Sequence, residues 1–488
     1  MQDGKDPQII VIGAGPAGLS TAYYLHKRGY RQVLVLEKLG RVGGLVYSMT
    51  VGGRSFDLGA NYVTPEYKET LRLAREVGAE TYTEKPFVAM TIPDDSSKPV
   101  TYSTIFNALR VDAATGQPIP VLKFAKAILR FVWLRFRLRR IIDKPTFEGI
   151  EKHPHLCVSF EEWLKANNLE SLITLFELPI TLMGYGYVRR TPAPYALKFM
   201  TVRTFVPMVL KETPIIGPRI PWPRRFVQGF QRMWERVSWG LDVRLNVDIK
   251  KIERREDGIH IDFVGPEQWL NREKRVLQKI VGDYLILACP LGVTSDFLDL
   301  SEEECKLFGL QRRQGPVDPS HPPESTKIIT SSYCMTTFHV EGLNIGNNIS
   351  GAGPLAAAIP MVDKARPWGV AKQFDDIDFI EFYTRVHNQM DEVEAKQEVI
   401  ANIRQVVQQM GGKIVDENKA WHTYTRWPYF QHVLEETMLD GFYTDLEKLQ
   451  GQRRTYYVGG VTNFELIEPI VQYAKHQVAR HFPPRRGA

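Results

Sequence analysis

Hydrophobic positions near the start of the chain come in blocks. Ile9-Ile10-Val11-Ile12 is an unbroken apolar run of the length expected for a strand buried on both faces. Gly13-Ala14-Gly15-Pro16-Ala17-Gly18 follows, and Leu19 to Lys27 reads as a helix that Gly29 ends. Val33-Leu34-Val35-Leu36 is a second buried strand closing on Glu37, which completes a β-α-β unit. Further on, the pattern predicts helices at Thr70–Val77, 121–142, 159–177 and Gly229–Ser238, with turns at Pro93–Ser97 and proline punctuation from Pro207 to Pro223. Asp242–Val247 and Tyr284–Ala288 read as strands, and Ile249–Phe263, broken at Asp257-Gly258, alternates like a hairpin. Residues 300–435 are mixed. Thr455–Gly460 is a strand entering a glycine turn, and a helix follows from Pro469 to Arg480. No internal repeat is visible.

Strands of one type thus occur at the start, middle and end of the chain, so the domains are expected to be discontinuous. The boundaries predicted are 1–84, 236–298 and 450–484 for a nucleotide-binding α/β domain. Residues 85–235 and 299–449 would form an inserted, mixed α+β substrate domain. Two or three domains suit 488 residues.

Composition changes this picture little: 43% hydrophobic and 24% charged residues describe an ordinary globular enzyme. The polar N-terminus predicts no secretory signal, and no run of about 18 apolar residues predicts a membrane span. Four scattered cysteines (Cys157, Cys289, Cys305, Cys334) predict neither disulfides nor a metal site, and a cytoplasmic setting is the expectation. The net charge of +6 is local. Residues 121–142 carry seven basic side chains and no acidic one, and without them the chain carries −1. A nucleic-acid partner is not expected.

The glycine spacing has a mechanical purpose. Gly13 permits the turn out of the strand, Gly15 lets backbone approach a pyrophosphate, and Gly18 allows close packing of helix on strand. Pro16 and Ala17 open the helix, whose free N–H groups face the phosphates. Glu37 stands where a carboxylate accepts hydrogen bonds from an adenosine ribose. The next stretch, Glu37-Lys38-Leu39-Gly40-Arg41-Val42-Gly43-Gly44, resembles the extended fingerprint of the flavin amine oxidase superfamily. Phe56-Asp57-Leu58-Gly59-Ala60-Asn61 resembles its segment beside the isoalloxazine, Asp242–Val247 its adenine-side strand, and Val458-Gly459-Gly460 its C-terminal flavin turn. The resemblance implies a Rossmann-like FAD domain of the glutathione-reductase-2 or amine-oxidase type. It also implies an FAD contacted by Lys38, Arg41, Gly43, Gly44, Gly59, Ala60, Asn61, Val247, Gly459 and Gly460. The family's acidic residue after the glycine of that last turn is absent, since Gly460 and Val461 follow. No cysteine sits in a Ser-Gly-Cys-Tyr setting, so the FAD is expected to be non-covalent. There is one dinucleotide fingerprint and no second, NADPH-type one.

Within that superfamily the chain resembles the bacterial polyenoic fatty acid isomerases, nearly end to end. Gly184-Tyr185-Gly186, Pro192–Lys198, Lys327-Ile328-Ile329 and Gln450–Tyr457 carry the likeness, with extra residues near 103–120 and 311–325. The resemblance implies an isomerase that moves double bonds of a polyunsaturated fatty acid or a similar apolar substrate. Hydride would leave an allylic carbon for flavin N5 and return elsewhere, without a second cofactor. The arginine that holds the substrate carboxylate in that family falls at about Glu84–Val88. Here Lys85, beside Phe87, is the only cation in that stretch, and an aromatic lid position corresponds to Val188, beside Tyr187. An alternative reading is an oxidase or desaturase of an amine or isoprenoid; a third is a flavin-binding protein without turnover.

Single residues carry two readings each. Trp421, Tyr424, Trp427, Tyr429 and Phe430 either line a pocket or pack a core. Tyr185 and Trp427 are pocket candidates; Lys327 either lies near flavin N5 or is a surface strand lysine. His422 and His432 read as structural. In 121–142, Lys123, Lys126, Arg130 and Arg137 fall on one side, with Leu122, Leu129, Trp133 and Phe136 largely away from them. Such a helix either lies peripherally on an anionic bilayer or buries that apolar side in the substrate domain. The substrate expected is small and apolar, and the oligomeric state is left open.

Overall fold

The apolar runs build a parallel sheet whose two faces are both covered. In the computed structural model, Ile9–Ile12 pairs in parallel with Val33–Leu36 on one side and Tyr284–Leu287 on the other. Asp242–Arg244 and Thr455–Tyr457 extend the two edges. Side chains alternate along these strands: Ile10, Ile12, Leu34 and Leu36 enter one buried cluster, and Ile9, Val11, Val33 and Val35 another. This is why the runs are uninterrupted rather than alternating. The structure describes residues 6–83, 88–89, 110–210, 219–220, 223–268, 271–311, 325–343, 349–350, 365, 367, 369–374, 376–387, 390–415 and 421–485.

A second sheet is antiparallel. The long strand Ile328–Glu341 lies between Phe379–Val386 and Thr423–Val433, and Gly369–Lys372 adds an outer strand. Opposite it lies a helical layer containing Val121–Ile142, Phe160–Ala166, Ile173–Leu182, Ala193–Phe199 and Val202–Leu210. Its centre is aromatic: Phe131, Phe160, Phe176 and Phe205 stack with centroids 4.6–5.2 Å apart.

Several elements differ from the sequence reading. The predicted helix 159–177 is two, because Asn168 (φ +54°) turns the chain after Phe160–Ala166. The second, Ile173–Leu182, runs through Pro179. Proline at 207 likewise lies inside Val202–Leu210. The strand from Asp242 stops at Arg244, and Asn246 (φ +58°) swings Val247 back so that its N–H donates to the Glu37 carbonyl at 2.8 Å. The hairpin gains a third strand, Asn271–Gly282, whose charged residues masked its alternation.

Val121–Ile142 is helical as predicted but buries a different face. Phe124, Ala127, Phe131, Arg135 and Ile142 point inward, whereas Leu122, Leu129, Trp133 and Phe136 are exposed. Lys126, Arg130 and Arg137 therefore border the exposed apolar row instead of opposing a buried one. The buried Arg135 is satisfied: its Nε donates to the Leu197 carbonyl at 2.7 Å, and it pairs with Asp143.

Candidate active site

One cavity of about 1190 Å³ runs from the glycine turn of the parallel sheet to the face of the antiparallel sheet. At its first end Gly13, Gly15, Pro16 and Ala17 form the wall where the helix Pro16–Lys27 begins. Gly13 has φ +106°, a left-handed conformation natural only to glycine. Glu37 faces the same space, held by two backbone donors: Ala14 N–H to Oε2 (2.6 Å) and Leu39 N–H to Oε1 (2.8 Å). Each oxygen keeps a lone pair for a ribose hydroxyl. Lys38, Gly44, Gly59, Ala60, Asn61, Val247, Gly459 and Gly460 also line the cavity.

Three predicted cofactor contacts do not line it. Gly18 is a packing glycine, since a Cβ there would sit 1.9 Å from the Gly13 carbonyl oxygen. Gly43 (φ +106°) shapes the loop, its Cβ position lying 2.5 Å from the Val46 oxygen. Arg41 spends its guanidinium on the Gly44 carbonyl (2.9 Å) and on the Tyr47 and Trp427 rings, at 4.7 and 5.9 Å. These three shape the cradle. The cradle fits a dinucleotide: glycine backbone around a helix N-terminus, an oriented carboxylate one strand away, and space where side chains would stand.

The other end is aromatic. Tyr333, Tyr383, Trp427 and Tyr429 come from three adjacent strands of the antiparallel sheet, and Tyr185 faces them from the Gly-Tyr-Gly turn. Tyr185 and Tyr429 stack at 5.8 Å, and Tyr333 lies 5.7 Å from Tyr429. The motif's first glycine is required by that packing: a Cβ on Gly184 (φ +79°) would lie 2.8–2.9 Å from the Tyr333 and Tyr429 rings. Trp427 is fixed by its Nε1–H donating to the Leu58 carbonyl at 3.0 Å. Burial raises the pKa of Tyr185, Tyr333, Tyr383 and Tyr429, so these phenols stay neutral.

A bulge tunes this wall. Where Ile328–Glu341 pairs with Thr423–Val433 the register shifts, and Phe430 adopts φ +52°. The chain between Tyr429 and His432 is re-aimed, and the Gln431 N–H meets Glu465 at 2.5 Å. Glu465 lines the cavity beside the Gly459-Gly460 turn, and burial pushes its carboxyl up to about 7. It brings an acid to a turn whose own expected acid is Val461. Only the bulge, a non-local feature, reveals it.

The remaining predicted residues lie elsewhere. Lys85 and Phe87 lie outside the described residues. Tyr187 and Val188 are buried away from the cavity. After Gly186 (φ +97°) the chain turns into the helical layer, where the Val188 N–H donates to Glu177 at 3.1 Å. Lys327 precedes the long strand, against Gly309, and does not line the cavity. His432 is buried, stacked on Phe430 at 4.1 Å and held down to about pKa 4, consistent with a structural part. Arg225 is a cavity residue the sequence reading missed. It is 4% exposed on a short strand, Arg224–Phe226, and pairs with Tyr82, three residues before Lys85.

The family model described as flavin containing amine oxidoreductase matches residues 16–331. A polyenoic fatty acid isomerase from Ptilota filicina is 40% identical over 272 residues, 52% of each chain. The flavin-containing amine oxidase B of Rattus norvegicus is 32% identical over 171 residues, 31% of this chain and 33% of that one. The chain thus spans about half or less of the length of these curated relatives. Among solved structures, the CLA-producing fatty acid isomerase from P. acnes superposes with a TM-score of 0.75 at 24% identity, over 99% of this chain and all of that one. A putrescine oxidase bound to putrescine gives 0.57 at 16% identity, covering 97% and 98%. The parallel sheet, the cradle and the family match agree, and the chain belongs to the flavin containing amine oxidoreductase family, with FAD as its cofactor.

Proposed function

We propose that this chain is an FAD-dependent isomerase that moves double bonds along a polyunsaturated fatty acid or a comparably long, apolar, unsaturated molecule. The observation that carries the reading is the continuity of the cavity, in which the glycine cradle opens directly onto a wall of neutral aromatic side chains. When bound, the flavin supplies reversible hydride chemistry. The protein's part is to hold, align and dry. Glu37, Gly15 and the start of Pro16–Lys27 would hold the nucleotide, and Gly459-Gly460 the flavin end. Tyr185, Tyr429 and Trp427 offer flat π surfaces to an unsaturated chain, and their burial excludes water.

The charge state of the wall supports an isomerase. Burial keeps the four tyrosines protonated, so they present neutral hydroxyls and no phenolate to the apolar space. A double-bond shift by hydride removal and return needs no proton acceptor. A carboxylate at the end of the substrate would meet Arg225, whose planar fork suits it. The Ptilota filicina relative, named for polyenoic fatty acids, favours this substrate class.

The test is turnover without oxygen. Holoenzyme incubated anaerobically with polyunsaturated fatty acids is expected to yield products of unchanged mass and altered ultraviolet absorbance. A deuterium label at the abstracted carbon should reappear at another carbon. Hydrogen peroxide formed in step with product in air, and no product anaerobically, would instead establish the oxidase or desaturase reading.

A further inference from the structure

The helix Val121–Ile142 has two apolar faces, and the protein uses one of them. Phe131 on the inner face lies 4.7 Å from Phe176 and 4.6 Å from Phe205. On the outer face Leu122 is 76% exposed, Leu129 70%, Trp133 54% and Phe136 54%. At about 100° per residue these four positions fall within roughly 60° of one another, a single row along the helix. Four large apolar side chains in one exposed row are unusual on a surface that meets only water.

The border of the row identifies what covers it. Lys126, Arg130 and Arg137 flank it, Arg140 continues it, and no Asp or Glu occurs from 121 to 142. The Arg137 guanidinium lies over the Trp133 ring, 4.8 Å from its centroid, and that of Arg139 over Phe136 at 3.8 Å, so each ring carries a cation on one face. A protein partner would have to match an apolar row and a one-sided charge together. A sheet of phosphodiesters over acyl chains matches both. The helix cannot span such a sheet, because its inner face is committed to the fold, and no helix of the described residues is long and apolar enough to cross a membrane.

The helix is also joined to the cavity. Phe205, against which Phe131 packs, belongs to Val202–Leu210, and Met208 and Val209 of that helix line the cavity wall. We propose that the outer face of Val121–Ile142 docks the enzyme on an anionic phospholipid bilayer. The helix lies in the plane of the interface, with Leu122, Leu129, Trp133 and Phe136 among the acyl chains and the basic residues at the phosphates. This places the helical wall of the cavity next to the source of a lipid substrate. The docking itself does not depend on which reaction the cavity performs.

The test is sedimentation of the holoenzyme with vesicles of phosphatidylcholine alone and with added phosphatidylglycerol. Binding is expected to require phosphatidylglycerol and to weaken with salt. L129S/W133S should lower partitioning at least tenfold while keeping the flavin spectrum and melting temperature, because both side chains already face solvent. Lys126→Gln, Arg130→Gln and Arg137→Gln should each lower it about fivefold. Brominated acyl chains should quench fluorescence in the wild type and much less in Trp133→Phe. Equal partitioning of wild type and L129S/W133S would overturn the proposal. So would no binding to either vesicle, and so would a self-association lost in L129S/W133S without vesicle binding, which would assign the face to a second copy of the chain.

Discussion

Gly15 and Gly18 lie three residues apart in one glycine motif, the first capping the helix Pro16–Lys27 and the second inside its first turn, and substitution should separate their roles. Gly15 has φ −76° and ψ −179°, extended backbone that any residue adopts. A Cβ there meets only the Gly44 Cα, at 3.8 Å, an ordinary contact. Gly15→Val thus leaves the protein unstrained, and the lost freedom of the unfolded chain is worth up to about 1 kcal/mol in its favour. The added side chain enters the cavity where backbone must approach the pyrophosphate. FAD affinity is expected to fall at least 100-fold, about 2.8 kcal/mol, with the apoprotein folded. Gly18→Ala has the opposite signature. Its Cβ would lie 1.9 Å from the Gly13 oxygen and 3.2 Å from the Ala288 Cβ, so helix and strand must part, at roughly 1–3 kcal/mol or more. Apoprotein melting temperature and FAD titration, measured on both variants, read the two effects apart. A Gly15→Val protein that purifies yellow with an unchanged flavin affinity would refute this placement of the phosphate loop.

Three further outcomes are expected. Cys289 lines the cavity, but burial pushes its thiol up to about 12, so no thiolate is available to attach the flavin; acid precipitation should leave all FAD in the supernatant. The Arg254 guanidinium holds the buried Glu304 through two contacts of 2.5 and 2.7 Å, so Glu304→Gln should cost about 3–5 kcal/mol in urea unfolding. Glu304 is held down to about 2 by that pair; its stabilisation is present above the ordinary value of 4.5 and should be lost as pH falls from there through 2, a loss absent in the variant. Arg225→Met should raise KM for a free fatty acid about tenfold or more and leave the KM of its methyl ester nearly unchanged, measured by initial rates.

The nucleotide end was legible because its determinants are local. Two apolar runs, a glycine spacing and an acid at a strand end lie within 37 residues, and each has a mechanical cause that acts on its neighbours. The aromatic end was legible only in part. Tyr185, Trp427 and Tyr429 stand in recognisable motifs. Tyr333 and Tyr383 reach the cavity through the register of an antiparallel sheet, which pairs Met335 with Tyr383 and Tyr333 with Trp427 across long separations. Periodicity reports how often a side chain returns to a face, not which strand it will lie beside. Val121–Ile142 shows the same limit in a helix. Its length was readable, but with apolar residues on two sides and Arg135 buried, periodicity alone could not say which side meets the core.

The proposed carboxylate anchor would depend on such pairing. Read along the chain, residues 84–88 offer Lys85 where the resemblance to the isomerases implies an arginine. Across the chain, Tyr82 pairs with Arg225, and a buried guanidinium enters the cavity wall from the neighbouring strand. The guanidinium reaches the cavity through the register of two strands, which the local sequence around Lys85 does not report. If the substrate is an acid, as proposed, the residue that recognises it would lie some 140 positions from Lys85 in the sequence.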